Sequence, residues 1–311
     1  MPHRFVLALG ALASVSAAIW VTVLSRDVEA QTVGQAQLVS AYRWYGNDDA
    51  FGGFSGIDVS DDGSTFVAIT DRSHVTRGKI TREDGVITKV AHSKLEKLTS
   101  PRGAPLVGIW ADSEGLAVAQ DGTVTVSFEI AHRTVQYTPG NKRGKDLPAN
   151  PATDKMVANS AQEALAVAAD GTLYMIPEGD GAEKTPHKVY RLRPGASNWD
   201  QPYTIPRYRP YVPVGADIGP DGRLYVLERH LSSIFGFTSR VRRFDMEPNA
   251  LINETILLES EVGLHDNLEG LAVWRDEVGL IRLTMVSDDN FKFFQVTEIV
   301  EYVVPDVETK N

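Results

Sequence analysis

The side chains with the most chemical promise are acids that return at one offset from an Asp-Gly pair. Glu114 precedes Gly115-Leu116-Ala117-Val118 and Asp121-Gly122, and Glu163 precedes Ala164-Leu165-Ala166-Val167 and Asp170-Gly171. Glu269 precedes Gly270-Leu271-Ala272-Val273, where the pair has become Asp276-Glu277. Two weaker copies place Ser55 before Gly56-Ile57-Asp58-Val59 and Val214 before Gly215-Ala216-Asp217-Ile218. A second set lies beyond each pair: Asp71-Arg72, Glu129 with His132-Arg133, Glu178, Glu228-Arg229-His230 and Asp288-Asp289-Asn290. A lone surface acid is ordinarily solvated, but independent ones have no reason to recur at one structural position. Carboxylates gathered within a few ångströms repel, and protonation, arginines or a hard cation with oxygen ligands relieves the cost.

The repeat also dictates the elements that hold these groups. Asp62, Asp121, Asp170, Asp221 and Asp276 are 49 to 59 residues apart, near the period of roughly 40 to 50 that marks propeller blades. Each unit reads as strand, Asp-Gly turn, strand, loop, strand, with period-2 alternation, and an Asp-Gly pair so flanked is a strong hairpin signal. Outer strands are expected at Val90 to Lys94, Lys155 to Ala158, Tyr203 to Ile205 and Thr255 to Leu258. The last unit lacks one, and the isolated strand Gln37 to Tyr45 is the candidate to supply it, closing the ring and covering both edges. The reading is an all-β, five-bladed β-propeller closed by an N-terminal strand. A sixth blade is open only if Ser93 to Ile109 conceals one, and a β-sandwich of hairpins is the other architecture.

In a propeller the innermost strand starts where the second strand ends, so both sets of acids meet at one rim. This makes Glu114, Glu163, Glu269, Asp288, Asp289, Asp71, Glu129 and Glu228 candidate ligands for a divalent cation of the calcium type. Arg72, Arg133 and Arg229 are candidate holders of an anionic substrate by bidentate pairs, and His132 and His230 candidate proton carriers. Such a cation would polarise a phosphoryl oxygen and activate water. The structural alternative has each Glu accepting backbone N–H bonds from the neighbouring blade. Gly-x-Ser-x-Gly, His-Glu-x-x-His and Gly-Lys-Ser/Thr signatures are absent from the sequence, as is any Cys, while glycosidase chemistry from a carboxylate pair stays open.

A net charge of -10 argues against nucleic acid or an anionic membrane as partner and favours cations. At the N-terminus, His3 and Arg4 precede an apolar run from Phe5 to Leu24, and Val28-Glu29-Ala30 offers small residues where a signal peptidase reads. We expect residues 1–30 to be a signal peptide, or an uncleaved anchor given the length of the run, and 31–311 one propeller domain, periplasmic or secreted.

The ordered set Phe54-Ser55-Gly56-Ile57, Asp71-Arg72, Ser113-Glu114-Gly115-Leu116-Ala117, Ser127-Phe128-Glu129 with His132-Arg133, Glu163-Ala164-Leu165-Ala166, Leu227-Glu228-Arg229, Asn267-Leu268-Glu269-Gly270 and Ser287-Asp288-Asp289-Asn290-Phe291 resembles the phytase-like propeller family described by an esterase-like activity of phytase. The resemblance spans about residues 37 to 304. It implies a propeller, export, and hydrolysis of phosphoric or carboxylic esters with divalent cations. Val214, where other units carry Glu or Ser, departs from the ring of acids. The expected function is an exported, metal-assisted hydrolase of phosphate esters or related anionic esters acting on a small anionic substrate. The alternative is a non-catalytic propeller that binds a ligand or protein partner through the same face, with Phe235, Phe237 and Tyr208 as exposed anchors.

Overall fold

The computed structural model describes residues 35–150, 153, 162–179, 185–232 and 236–305. The expected signal segment, the Lys155 to Ala158 strand and Phe235 lie outside them. Five antiparallel sheets form the blades, four of four strands and one of five. Blade 1 is β2 (Phe54–Val59), β3 (Thr65–Thr70), β4 (His74–Glu83) and β5 (Val86–His92), with the short β6 (Glu96–Lys97) also on β4. Blade 2 is β7 (Ser113–Val118), β8 (Val124–Phe128), β9 (Arg133–Tyr137) and β10 (Lys145–Asp146). Blade 3 is β11 (Ala164–Val167), β12 (Leu173–Ile176), β13 (His187–Leu192) and β14 (Asp200–Ile205). Blade 4 is β15 (Val212–Ile218), β16 (Leu224–Leu231), β17 (Phe237–Glu247) and β18 (Ala250–Glu259). Blade 5 is β19 (Asn267–Arg275), β20 (Ile281–Asp288), β21 (Glu298–Val304) and, as its outer strand, β1 (Gln37–Arg43).

The N-terminal strand closes the ring as the sequence predicts, with Arg43 opposite Glu298 and Gln37 opposite Val303. Segment 93–109 supplies β6 and part of a one-turn helix, Gly108–Trp110, rather than a sixth blade. The outer strand of blade 2 is Lys145–Asp146, earlier than the alternation around Lys155 indicates.

Each hairpin turn is built the same way. The turn aspartate accepts the N–H two residues on, as Asp121 does from Thr123 at 2.8 Å and Asp170 from Thr172 at 2.9 Å. In blades 1 to 4 the glycine after it takes the left-handed conformation, φ 81° at Gly122 and 82° at Gly171, and in blade 5, where Glu277 follows Asp276, Gly279 takes it at 92°; this costs an L side chain energy and glycine little. Alternation then presents apolar residues to both faces of every blade. Five hydrophobic clusters result, each pressed between two consecutive blades. Trp44, buried and stacked on Phe54 with ring centroids 4.5 Å apart, welds the closing strand to blade 1.

The inner strands β2, β7, β11, β15 and β19 touch in that order and return to β2. Their glycines explain how five blades fit so close to an axis. A Cβ on Gly115 would lie 2.5 Å from the Glu163 carbonyl oxygen, on Gly215 2.6 Å from that of Glu269, and on Gly270 2.6 Å from the Ile57 nitrogen. The axis is nearly filled: a void of about 10 Å³ remains among these strands, about the volume one water needs.

Candidate metal centre

The acids reach the mouth of the ring because of a local irregularity shared by four inner strands. Each has a β-bulge, at Ser55, at Glu114 and Gly115, at Val214 and at Glu269, where the register with the second strand shifts. A bulge leaves a residue out of the ladder and re-aims its side chain. In blade 3, Glu163 directly precedes β11. The recurring offset seen in the sequence is thus a backbone device that turns one side chain per blade toward the mouth.

What occupies that position differs by blade. Glu114, Glu163 and Glu269 converge from blades 2, 3 and 5, the last two buried. In blade 1, Ser55 donates its hydroxyl to the Ser113 carbonyl at 2.8 Å and ties two blades together. Blade 4 has the buried Val214 there, but supplies Arg229 from its second strand. Arg229 donates to Asn267 Oδ1 at 2.6 Å and forms a short ion pair with Glu269. Burial alone would weaken its hold on a proton, but Glu269, Glu163, Glu178 and Glu114 around it raise its pKa.

The remaining acids are under-compensated. Burial, reinforced by Glu163, Glu269, Glu129 and Asp112, pushes Glu114 well above the carboxylate range. Glu163 is raised likewise by burial and by Glu178, with Arg229 opposing. Asp288 is pushed up to about 8 by burial and by Glu269. Asp71 is pushed up to about 6 by burial, with Arg72 opposing and Glu269, Asp112 and Asp289 adding to the rise. The Oδ1 of Asp71 is buried with no hydrogen-bond partner among the described residues.

Two groups of oxygen donors stand close enough to share a cation. Asp112, Glu114 and Glu129 can bring one oxygen each within 4.8 Å of one another, and so can Glu129, Glu163 and Glu178. Glu129 belongs to both, which makes two adjacent positions bridged by one carboxylate. The donor set is all oxygen and anionic, the choice of a hard cation; burial first, and at Glu114 and Glu163 neighbouring acids as well, raises the pKa values of Asp112, Glu114 and Glu163, a cost such a cation would relieve. The residues present therefore fit a divalent ion of the calcium type.

Other expected ligands are spent elsewhere. Glu228 is fully buried between Arg240, which donates Nε at 2.8 Å, and Arg242, which donates Nε at 2.9 Å, so no charge is left for a metal. Asp289 accepts the N–H of Gly53 at 2.9 Å and of Phe291 at 3.0 Å, and the Thr297 hydroxyl at 2.9 Å. It fastens blade 5 to blade 1. Asp288 accepts the Asn290 N–H at 2.6 Å and stays at the mouth. Among the cations, Arg72 is exposed and stacks 3.6 Å above the Phe291 ring. Arg133 lies 3.8 Å over Phe128 and donates to the Ala131 and Trp110 carbonyls, which holds it on its own blade. His132 is half-buried beside Glu129, and burial lowers its pKa against a hydrogen bond to the Glu129 backbone. His230 pairs its Nδ1 with the Ser232 hydroxyl at 3.0 Å and packs against Tyr211.

Asp112 escaped the sequence reading, whereas Asn267 was read within a motif and Glu178 at the rim, each without a role. The signal for Asp112 was its position two residues before Glu114, on the strand entry rather than in the repeat.

A propeller with an acidic, arginine-containing mouth is the class that fold and site define. The family profile described as phytase-like, esterase-like activity of phytase, matches residues 49–291, and the chain belongs to that family. No characterised protein sequence matches it significantly. Among solved structures, virginiamycin B lyase from Staphylococcus aureus is similar at 13% identity and TM-score 0.44, covering 87% of this chain and 100% of that one. Aldose sugar dehydrogenase from Streptomyces coelicolor, in its PQQ-bound form, is similar at 10% identity and TM-score 0.45, covering 88% and 100%.

Proposed function

We propose that the protein is a metal-assisted hydrolase of phosphate esters or related anionic esters, acting outside the cytoplasm. The observation that carries this reading is the pair of three-carboxylate groups joined at Glu129, with Arg229 beside them. When bound there, a divalent cation would polarise a phosphoryl oxygen and lower the pKa of attacking water. The chain's own part is to hold Asp112, Glu114, Glu129, Glu163 and Glu178 in a fixed cluster before any ligand arrives. Pre-set groups avoid reorganisation during the reaction. Arg229, anchored by Glu269 and Asn267, keeps Glu269 oriented and adds positive potential at the mouth. Arg72, exposed and stacked on Phe291, is the guanidinium proposed to take a substrate oxygen by paired N–H bonds.

The test is hydrolysis of p-nitrophenyl phosphate with calcium and with a chelator, on wild type and on Glu129→Gln. We expect turnover that needs calcium and falls at least about 100-fold in the variant, as expected when electrostatic stabilisation is removed. Activity indifferent to both changes overturns the reading. A calcium-dependent rise in melting temperature without turnover on any ester would assign the same face to ligand binding instead.

A further inference from the structure

Large apolar side chains left in water are unevenly shared between the two ends of the ring. The mouth end is made of the loops that enter each inner strand and leave each second strand. There, Phe293 and Phe294 are 99% and 67% exposed in the loop that follows Asp288, and they meet edge to face. Trp110, 55% exposed, stands two residues before Asp112. Ile130 adjoins Glu129, Leu231 lies two residues beyond Arg229, and Tyr45 sits in the loop from the closing strand to blade 1, all exposed. At the far end, among the described residues, Leu38, Val86, Ile252 and Val278 are exposed, aliphatic side chains with no large ring among them.

Single exposed apolar residues are ordinary, but their concentration around a site marks a surface that meets something apolar. Positive charge at the mouth sits beside these apolar groups rather than free within the acidic cluster. Arg229 is paired with Glu269 and Asn267, and Arg133 is bonded to two backbone carbonyls. The remaining cations of the rim lie against rings or backbone: Arg72 stacks on Phe291, Lys292 lies 6.0 Å over the Phe294 ring, and Lys97 bonds the Arg72 carbonyl. One anionic head attached to an apolar body matches both features.

Resting on the hydrolase reading above, we propose that the substrate is an amphipathic phosphate monoester. Its phosphate would enter the acidic mouth, and its apolar body would lie on the aromatic rim formed by Trp110, Phe293 and Phe294. Hydrolysis would break the P–O bond to the alkyl group, water supplying the hydroxyl to phosphorus and a proton to the leaving alkoxide.

The experiment compares methyl phosphate, decyl phosphate below its micelle threshold and tripolyphosphate, all with calcium. We expect kcat/KM for the decyl ester to exceed that for the methyl ester by at least about tenfold, the scale of a few buried methylenes. The double variant Phe293→Ser, Phe294→Ser and the single variant Trp110→Ser should each shrink that ratio, whereas Val278→Ser at the far end should leave it unchanged. Equal rates across chain length, or preference for tripolyphosphate, overturns the proposal. Binding of decylphosphonate and methylphosphonate, followed by equilibrium dialysis, separates the two readings. If no ester turns over, the catalytic reading falls. The substrate-class inference then survives only if decylphosphonate binds at least about tenfold tighter than methylphosphonate and the double variant loses that difference.

Discussion

At one end of the ring axis, Glu114, Glu163, Glu269, Asp71 and Asp288 press on one another with Arg229 as their close counter-charge. At the other end stand Asp58 and Asp217, over a cavity of about 740 Å³ that also touches Asp61 and Gln120. These two are raised as well, Asp58 to about 7 by burial and Asp217 by burial and the nearby Asp58. Yet each has a structural partner on the next blade: Asp58 accepts the Val118 N–H at 2.9 Å, and Asp217 the Val273 N–H at 2.6 Å. The far end therefore uses carboxylates as braces between blades, which is the arrangement the structural alternative assigned to the mouth. At the mouth Asp289 braces blade 5 to blade 1 in the same way, but Asp112, Glu114, Glu129, Glu163 and Glu178 also bring carboxylate oxygens within 4.8 Å of one another in two groups of three. Acid recurrence alone does not separate brace from site; the identity of the nearest donor does.

The largest expected effect is at the mouth. Arg229→Met keeps bulk but removes the counter-charge, and breaking a largely buried ion pair costs about 3 kcal/mol. Urea unfolding in chelator should show that loss, and calcium should restore part of it, because a ligand that binds only the folded state stabilises it. A variant as stable as wild type without calcium would mean the mouth acids carry no unrelieved charge, and the contrast between the ends would fail.

Next comes the wall between them. Gly270→Ala would place a Cβ 2.6 Å from the Ile57 nitrogen and 3.0 Å from the Gly56 carbonyl carbon, backbone atoms that cannot swing aside. Overpacking of this kind costs about 2 kcal/mol, readable as a lower denaturation midpoint. A neutral outcome would show a compliant wall and ends that are not mechanically independent.

The smallest effect belongs to the far end. The folded state holds the Asp58 proton up to about pH 7, whereas an aspartate in an unfolded chain releases it near 3.9. The folded state binds more protons in that window, so stability present at low pH is lost as pH rises from about 4 to about 7. Asp58→Asn still accepts from Val118 and carries no charge. It should flatten that slope and leave the variant more stable than wild type at pH 8, seen in thermal melts across the window. Wild type that instead gains stability as pH rises would point to a cation holding the pair ionised, making the far end a second site.

Much of the architecture could be read from residues alone. Four Asp-Gly pairs and the Asp276-Glu277 copy announced five hairpins because turn chemistry is local, and the unpartnered alternation at Gln37 to Tyr45 announced the closing strand. The mouth was legible as a place, since one offset carries Glu114, Glu163 and Glu269. Its membership was not. Glu228 looked like a ligand until Arg240 and Arg242 on the neighbouring strand enclosed it, and Asp289 until Gly53, at the opposite end of the chain, claimed it. Both losses depend on cross-strand or ring-closing partners that no short-range pattern records. Asp112 was missed for the converse reason, because it lies outside the repeat and is brought in by the entry loop of β7. Arg133 kept the expected place but turned its guanidinium to its own blade's carbonyls.

The strand that completes blade 5 is the earliest described one to leave the ribosome, and its partner β21 is the last. A nascent chain must therefore remain an open arc, with β1 waiting as an unsatisfied edge, until β21 has been made. Assembly governed by so distant a pairing is slow, and the waiting edge invites mispairing with other chains. A chain shortened by only its final strand would forfeit the clasp itself, leaving Trp44 without the register that seats it.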